Sequence, residues 1–250
     1  MAKVTQARSR LAEVVEIRPG ARSSHVDQAP SGPIMLAPSD FAFLWDECPR
    51  CFYLKVVRKE GRPRTPFPAV FGTIDRAMKS FYMGQRTESL DLGMPAGTIG
   101  GADRSVRSSG LTIPGSTTLG AIRGSLDALV HCDDGSVGVV DFKTVEPKPD
   151  HVDRYSRQLH AYALALEQPW SGPVTQVSAL GLLCFSPESF TSTQTATLCG
   201  DIKWLEIERD NPSFFRFLIE VMSVIGRSQP PPASPSCVWC RWRTENRAAS

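Results

Sequence analysis

No stretch of the sequence approaches the roughly 18 to 20 consecutive apolar residues that a bilayer span requires. The first thirty residues are polar and mixed in charge, with no basic start leading into an apolar run, so no secretory leader is expected either. The expectation is a cytoplasmic protein without membrane association. Charge of one sign is also missing: 28 Lys and Arg against 26 Asp and Glu leave a formal +2. No basic stripe announces a nucleic-acid binder, so such a function has to be argued from sites. An even cysteine count is lacking too, because seven cysteines fit a closed disulfide framework poorly and a reducing compartment better. With 250 residues the chain is long enough to bury a core without staples.

Residues 1–34 contain few large apolar side chains and read as a mobile tail, with one folded domain over 35–250. Ser39 is the expected N-cap of a first helix carrying Phe41, Leu44, Trp45 and Cys48 at helical spacing. Pro49 suits the first turn of a new helix, which puts Cys48 at a junction. After a proline-rich extended stretch at 62–68, Phe71, Ile74, Met78 and Phe81 define an amphipathic helix over 71–82. Residues 91–118, rich in Gly, Ser, Thr and Pro, are expected to be a loop-rich insertion. Two apolar runs, 119–132 and 136–145, flank Asp133-Asp134-Gly135 and predict a hairpin. A helix over 153–168, strands over 177–185 and 191–199, and a helix over 212–225 complete an α/β sandwich on a mixed sheet.

Side chains alternate across a strand, so Asp141 and Lys143 point the same way while Val140 and Phe142 point the other. If the hairpin pairs as expected, Asp127 in the preceding strand can lie near Asp141. Two converging carboxylates repel one another and favour a hard divalent cation, beside which an ammonium can orient water or stabilise developing charge. Those parts suffice for phosphodiester hydrolysis. The same Asp-x-Lys also fits an ordinary ion pair, although an acid closing the Val139-Val140 run stands in a strand that looks buried on both faces. The four histidines, His25, His131, His151 and His160, suit solvated or packing roles.

Three segments in order resemble the PD-(D/E)XK nuclease superfamily, most closely its RecB-like branch: Gly124-Ser125-Leu126-Asp127, the strand Val140-Asp141-Phe142-Lys143, and the helix segment Gln158-Leu159-His160-Ala161-Tyr162. The resemblance implies a restriction-endonuclease-like α/β sandwich with a central mixed sheet flanked by helices. It implies Asp127 and Asp141 as ligands of Mg²⁺ or Mn²⁺, Lys143 as the catalytic lysine, and Gln158 and Tyr162 reaching the site or the DNA. The branch usually carries a histidine, and other members a glutamate, on the first core helix. The helix Gly72–Lys79 offers Asp75 instead, either as a ligand or as an i,i+4 partner of Lys79.

Cys48-Pro49-Arg50-Cys51 and Cys237-Val238-Trp239-Cys240 are two C-x-x-C pairs at opposite ends, a candidate tetrathiolate site for Zn²⁺ or a [4Fe-4S] cluster. The segment Ser39–Leu54 is similar to the region before the first cluster cysteine in AddB-type nucleases and CRISPR adaptation exonucleases. That resemblance leans to [4Fe-4S], with zinc as the alternative. Arg50, Arg241, Arg243 and Arg247 flank the pairs and are candidate phosphate contacts. Cys132, Cys184 and Cys199 read as small apolar core residues. The whole points to a metal-dependent deoxyribonuclease acting on single strands or duplex ends, with a repair, phage or CRISPR-type complex as a possible setting. The rival is a catalytically weak or inactive module of the same fold that binds DNA or a partner.

Overall fold

The computed structural model describes residues 17–18, 32–63, 66 and 68–247. The tail expected over 1–34 lies outside the described residues, except that Ile17–Arg18 (β1) pairs with a later strand and Ile34–Leu36 forms β2. Residues 64, 65 and 67 of the proline-rich stretch lie outside them as well. Three short helices follow: α1 Pro38–Ala42, α2 Leu44–Glu47 and α3 Pro49–Val56. The first does not start at Ser39; Pro38 occupies its opening turn, where a missing N–H costs nothing, and no side chain caps it. Cys48 does sit between two helices, with extended backbone and its N–H on Leu44 O at 2.9 Å.

Helix α4, Ala69–Tyr82, lies against a five-stranded sheet. The expected loop at 91–118 is not uniformly irregular, since it contains β3 Gly97–Gly100, β4 Arg104–Arg107 and β5 Gly110–Leu111. These strands are too short to show hydrophobic periodicity, which is why composition alone suggests a loop. The single run expected over 119–132 is two strands, β6 Gly120–Leu126 and β7 Ala128–Cys132, which belong to different sheets. Asp127 is the one residue between them.

β7 pairs antiparallel with β8, Val137–Thr144, through the Asp133–Gly135 turn, whose glycine takes φ +85°. Helix α5, Pro149–Glu167, starts four residues earlier than expected because Pro149 opens it, and crosses over to β9, Val177–Ser192, parallel to β8. β9 turns back into β10, Ala196–Glu206, which is both longer and later than the 191–199 expectation. Helix α6, Asn211–Ile225, begins at Asp210, whose side chain accepts from Ser213 N, and α7 spans Val238–Arg247.

One sheet has the order β10-β9-β8-β7-β3; the other joins β1, β5, β6 and β2, with β4 also on β6. The result is a mixed α/β fold. The alternation in β8 divides the core. Val137 and Val139 face a large cluster shared with α5, α6 and α1–α3, whereas Val140 and Phe142 face a smaller one with Met78 and Tyr82 of α4. The sheet is thus covered on both faces, and the polar end of β8 emerges between α4 and α5. Of the three other cysteines, Cys184 is buried and Cys132 half-buried, but Cys199 is exposed on the outer strand β10 and is not a core residue. Among the described residues no helix is long and apolar enough to cross a membrane.

Candidate active site and four-cysteine centre

The β7–β8 register brings the acids together. Ala128 opposes Val140, so the next step outward sets Asp127 beside Asp141. Leaving the ladder at that step frees the Asp127 carboxylate to accept from Phe142 N at 3.0 Å. Asp141 is only 3 % exposed, and its Oδ1 accepts from Gln158 Nε2 of α5 at 3.1 Å. Its Oδ2 meets the Lys143 ammonium, two residues along the same face of β8. Burial raises the Asp141 carboxyl to about 6, with the neighbouring Asp127 charge adding to the rise and Lys143 opposing it. Lys143 is shifted the other way from what burial alone would do: the Asp141 charge overrides desolvation and raises its pKa. Its ammonium also lies 4.7 Å from the Tyr155 ring centre.

Tyr162 is buried, and its hydroxyl donates to Ser125 O at 2.8 Å. It therefore ties α5 to β6 just before Asp127. Gln158 Oε1, also buried, has no hydrogen-bond partner. His25 lies outside the described residues, and His160 is buried, accepts from Asp210 N at 2.9 Å and lies against Phe214.

Asp75 does pair with Lys79 at 3.0 Å, but Lys79 does more. Its ammonium, on a side chain 11 % exposed, also contacts Asp127 Oδ1 at 2.9 Å and Asp103 Oδ1 at 2.8 Å. Burial lowers the Lys79 pKa, and the three acids more than reverse this. Sequence reasoning saw Lys79 only as an Asp75 partner. The signal available was its place one turn further along the helix face that carries the candidate ligand. Asp75, Asp127, Lys143 and Tyr155, with Phe43 and Phe71, line a cleft of about 580 Å³.

All four sequence-predicted cysteine ligands also meet. Cys48, Cys51, Cys237 and Cys240 are buried, with sulfurs within 4.8 Å of one another. Cys51 Sγ lies 3.6 Å from both Cys237 and Cys240, and Cys48 Sγ 3.7 Å from Cys240. The first pair belongs to the α2–α3 junction and the second to the start of α7, so the centre joins the N- and C-terminal regions. Burial opposes ionisation of Cys48, yet backbone N–H groups of Ser234 and Cys51 bring it down to about 6, whereas burial pushes Cys51 and Cys240 up. Arg62, another residue sequence reasoning passed over, donates to Cys237 Sγ at 3.7 Å and to Glu47. Of the flanking arginines, Arg50 donates to Pro231 O at 3.1 Å and Arg243 to Glu60 O and Gly61 O at 2.8 and 2.9 Å. These two lash the ends together through backbone carbonyls.

A family model for the PD-(D/E)XK nuclease superfamily matches residues 98–244. The chain belongs to the PD-(D/E)XK nuclease superfamily. The matched span holds Asp127, Asp141, Lys143, Gln158, Tyr162 and the second cysteine pair; Asp75 and the first pair precede it. Membership in this nuclease superfamily implies a nucleic-acid substrate and phosphodiester hydrolysis. A search of the curated proteins finds no match. Among solved structures, the crystal structure of SSO0001 is similar at 14% identity, over 92% of this chain and 89% of that one, with a TM-score of 0.47, a likeness too distant to bear on the site.

Proposed function

We propose that this PD-(D/E)XK protein is a divalent-metal-dependent deoxyribonuclease of the RecB-like branch, with Asp127, Asp141 and Lys143 at its centre. The observation that carries the reading is Asp141: a nearly fully buried carboxylate, raised to about 6, beside a second acid, Asp127, and a lysine, Lys143, that both line the cleft. A buried acid under-compensated in this way, next to the partnerless Gln158 Oε1, suits a hard cation. Mg²⁺ or Mn²⁺ held by Asp127 and Asp141 supplies Lewis-acid polarisation of a phosphate oxygen and a more acidic water.

The remaining roles belong to the chain's own side chains. Lys143, fixed by Asp141 and the Tyr155 ring, presents an ammonium that orients the attacking water and offsets charge developing on the phosphate. Gln158 holds Asp141 in its rotamer, and Tyr162 holds the strand that delivers Asp127. Lys79 keeps Asp75 and Asp127 from repelling each other, and Asp75 is the candidate further ligand on α4. Phe43 and Phe71, both exposed at the cleft, offer ring faces to unpaired bases. Cleavage of labelled single-stranded and duplex DNA with Mg²⁺ or Mn²⁺ tests this. Asp141→Asn and Lys143→Ala are expected to lose about a hundredfold or more; variants that match wild type sink the catalytic reading and leave the binding module.

For the cysteine centre, the sulfur spacing favours zinc. Zn–S bonds of 2.3 Å place tetrahedral thiolates about 3.8 Å apart; three of the sulfur pairs here are 3.6, 3.6 and 3.7 Å apart and all four sulfurs lie within 4.8 Å of one another. A [4Fe-4S] cubane, which the resemblance suggests, interposes an iron for each thiolate and spreads the four sulfurs much further. Elemental analysis of anaerobically purified protein is expected to find one zinc in a colourless sample, and a brown, iron-loaded sample overturns that assignment.

A further inference from the structure

The antiparallel β4–β6 ribbon leads straight to Asp127. Arg107 opposes Arg123 and Ser105 opposes Ser125, and the next same-face step is Asp103 opposite Asp127, whose backbones are joined from Asp103 N to Asp127 O at 3.2 Å. Alternation puts these three pairs on one face, while Val106 and Leu126 are buried on the other. A basic pair, a hydroxyl pair and an acidic pair therefore follow one another along an exposed surface that ends in the active site.

The basic pair is unusual. Like charges directly opposite one another across a ladder are destabilising, and among the described residues neither Arg107 nor Arg123 has a carboxylate partner. Arg107 Nε has no hydrogen-bond partner at all. Beside the pair lies a cavity of about 320 Å³ with no acidic residue in its lining; Arg104 joins Arg107 and Arg123 there. Its lining also carries Trp170, 46 % exposed, whose backbone N–H bonds Arg107 O at 2.9 Å and whose ring centre lies 4.3 Å from the Arg107 guanidinium. An uncompensated cationic pair calls for an anion, and an exposed indole next to it calls for a flat ring. A nucleotide supplies both.

We propose that this ribbon is the track of a single nucleic-acid strand, with Arg107 and Arg123 gripping a backbone phosphate, Trp170 stacking on an unpaired base, and the Ser105 and Ser125 hydroxyls bridging to the acids. The strand must be single at this point because a duplex keeps its base faces covered. Two steps of the ladder, four residues along a strand, separate Arg123 from Asp127 by about 13 Å. The inference rests on the nuclease reading for its substrate but not for its binding test.

That test is fluorescence anisotropy of a labelled oligo-dT strand in EDTA, where no cleavage occurs, with melting curves in parallel. Arg123→Glu sets an acid opposite Arg107, so the fold keeps or gains stability while affinity falls about tenfold and the logarithmic salt slope becomes shallower by about 1. Trp170→Ala loses about tenfold in affinity. If the wild type binds and cleaves but both variants bind equally well, the track is refuted and the nuclease reading stands. If wild type binds, the variants lose affinity and no condition yields cleavage, the track stands and the nuclease reading falls. A wild type that neither binds nor cleaves refutes both.

Discussion

Removing metal from the cysteine centre is expected to cost the protein a large part of its stability. The centre links Cys51 to Cys237 across 186 residues, and the loop-closure entropy that such a cross-link removes from the unfolded chain corresponds to about 5 kcal/mol. Total stabilities are about 5 to 15 kcal/mol, so the loss is comparable with the whole margin of a weakly stable protein. For a chain of this size it corresponds to a melting point lower by about 10 to 20 °C. Part of the clasp survives, because Arg50 on Pro231 O and Arg243 on Glu60 O and Gly61 O do not need the metal. Each such bond contributes about 1 kcal/mol or somewhat more, less than the cross-link. The assay is thermal unfolding by circular dichroism of loaded protein, chelator-treated protein and Cys51→Ser, with metal content measured on the same samples. Metal-free protein melting within about 2 °C of the loaded form refutes the idea that the centre is a structural cross-link.

Two other predictions concern charge. Lys79→Met leaves Asp75, Asp103 and Asp127 facing one another without their shared ammonium; the metal-free protein should lose about 1.5 to 3 kcal/mol in denaturant titrations, and millimolar Mg²⁺ should recover more of it than in wild type. Burial lowers the His160 pKa, so the unfolded chain takes up this proton first as pH falls. The stability of the neutral form is complete above about 6.5 and declines below it, and His160→Asn should flatten the dependence of unfolding midpoint on pH below about 6.5.

Much of the site was legible because it lies on regular elements. Alternation along β8 placed Asp141 and Lys143 on one face, and the four-residue spacing on α5 placed Gln158 and Tyr162 together. The Asp133–Gly135 turn brought Asp127 within reach. What could not be read was the break at Asp127: Leu126 and Ala128 are equally apolar, and nothing local marks a change of sheet. The ribbon of β4 on β6 was invisible for a related reason, since four-residue strands are specified by pairing partners rather than by their own pattern. Lys79 was hidden because its most telling partner, Asp127, is remote in sequence. The spacing of the cysteines foretold their meeting but not the distances between sulfurs, which depend on how α7 docks against the α2–α3 junction.

Gly124 gives the Gly-x-x-Asp segment a mechanical meaning. A Cβ there would stand 2.9 Å from Pro38 and 3.1 Å from the Tyr162 ring, so β6 touches α1 and α5 through bare backbone. Asp127 hangs three residues beyond that point of contact, about 10 Å along the strand, and Asp141 belongs to the other sheet. The gap between the two carboxylates is therefore set from two sides, by the β7–β8 register that puts Asp127 beside Asp141 and by the angle at which β6 leaves its contact at Gly124, the fulcrum. Gly124→Ala would act as a wedge at the fulcrum, and a few tenths of an ångström there would be levered into misalignment of the acids without altering any residue of the site itself.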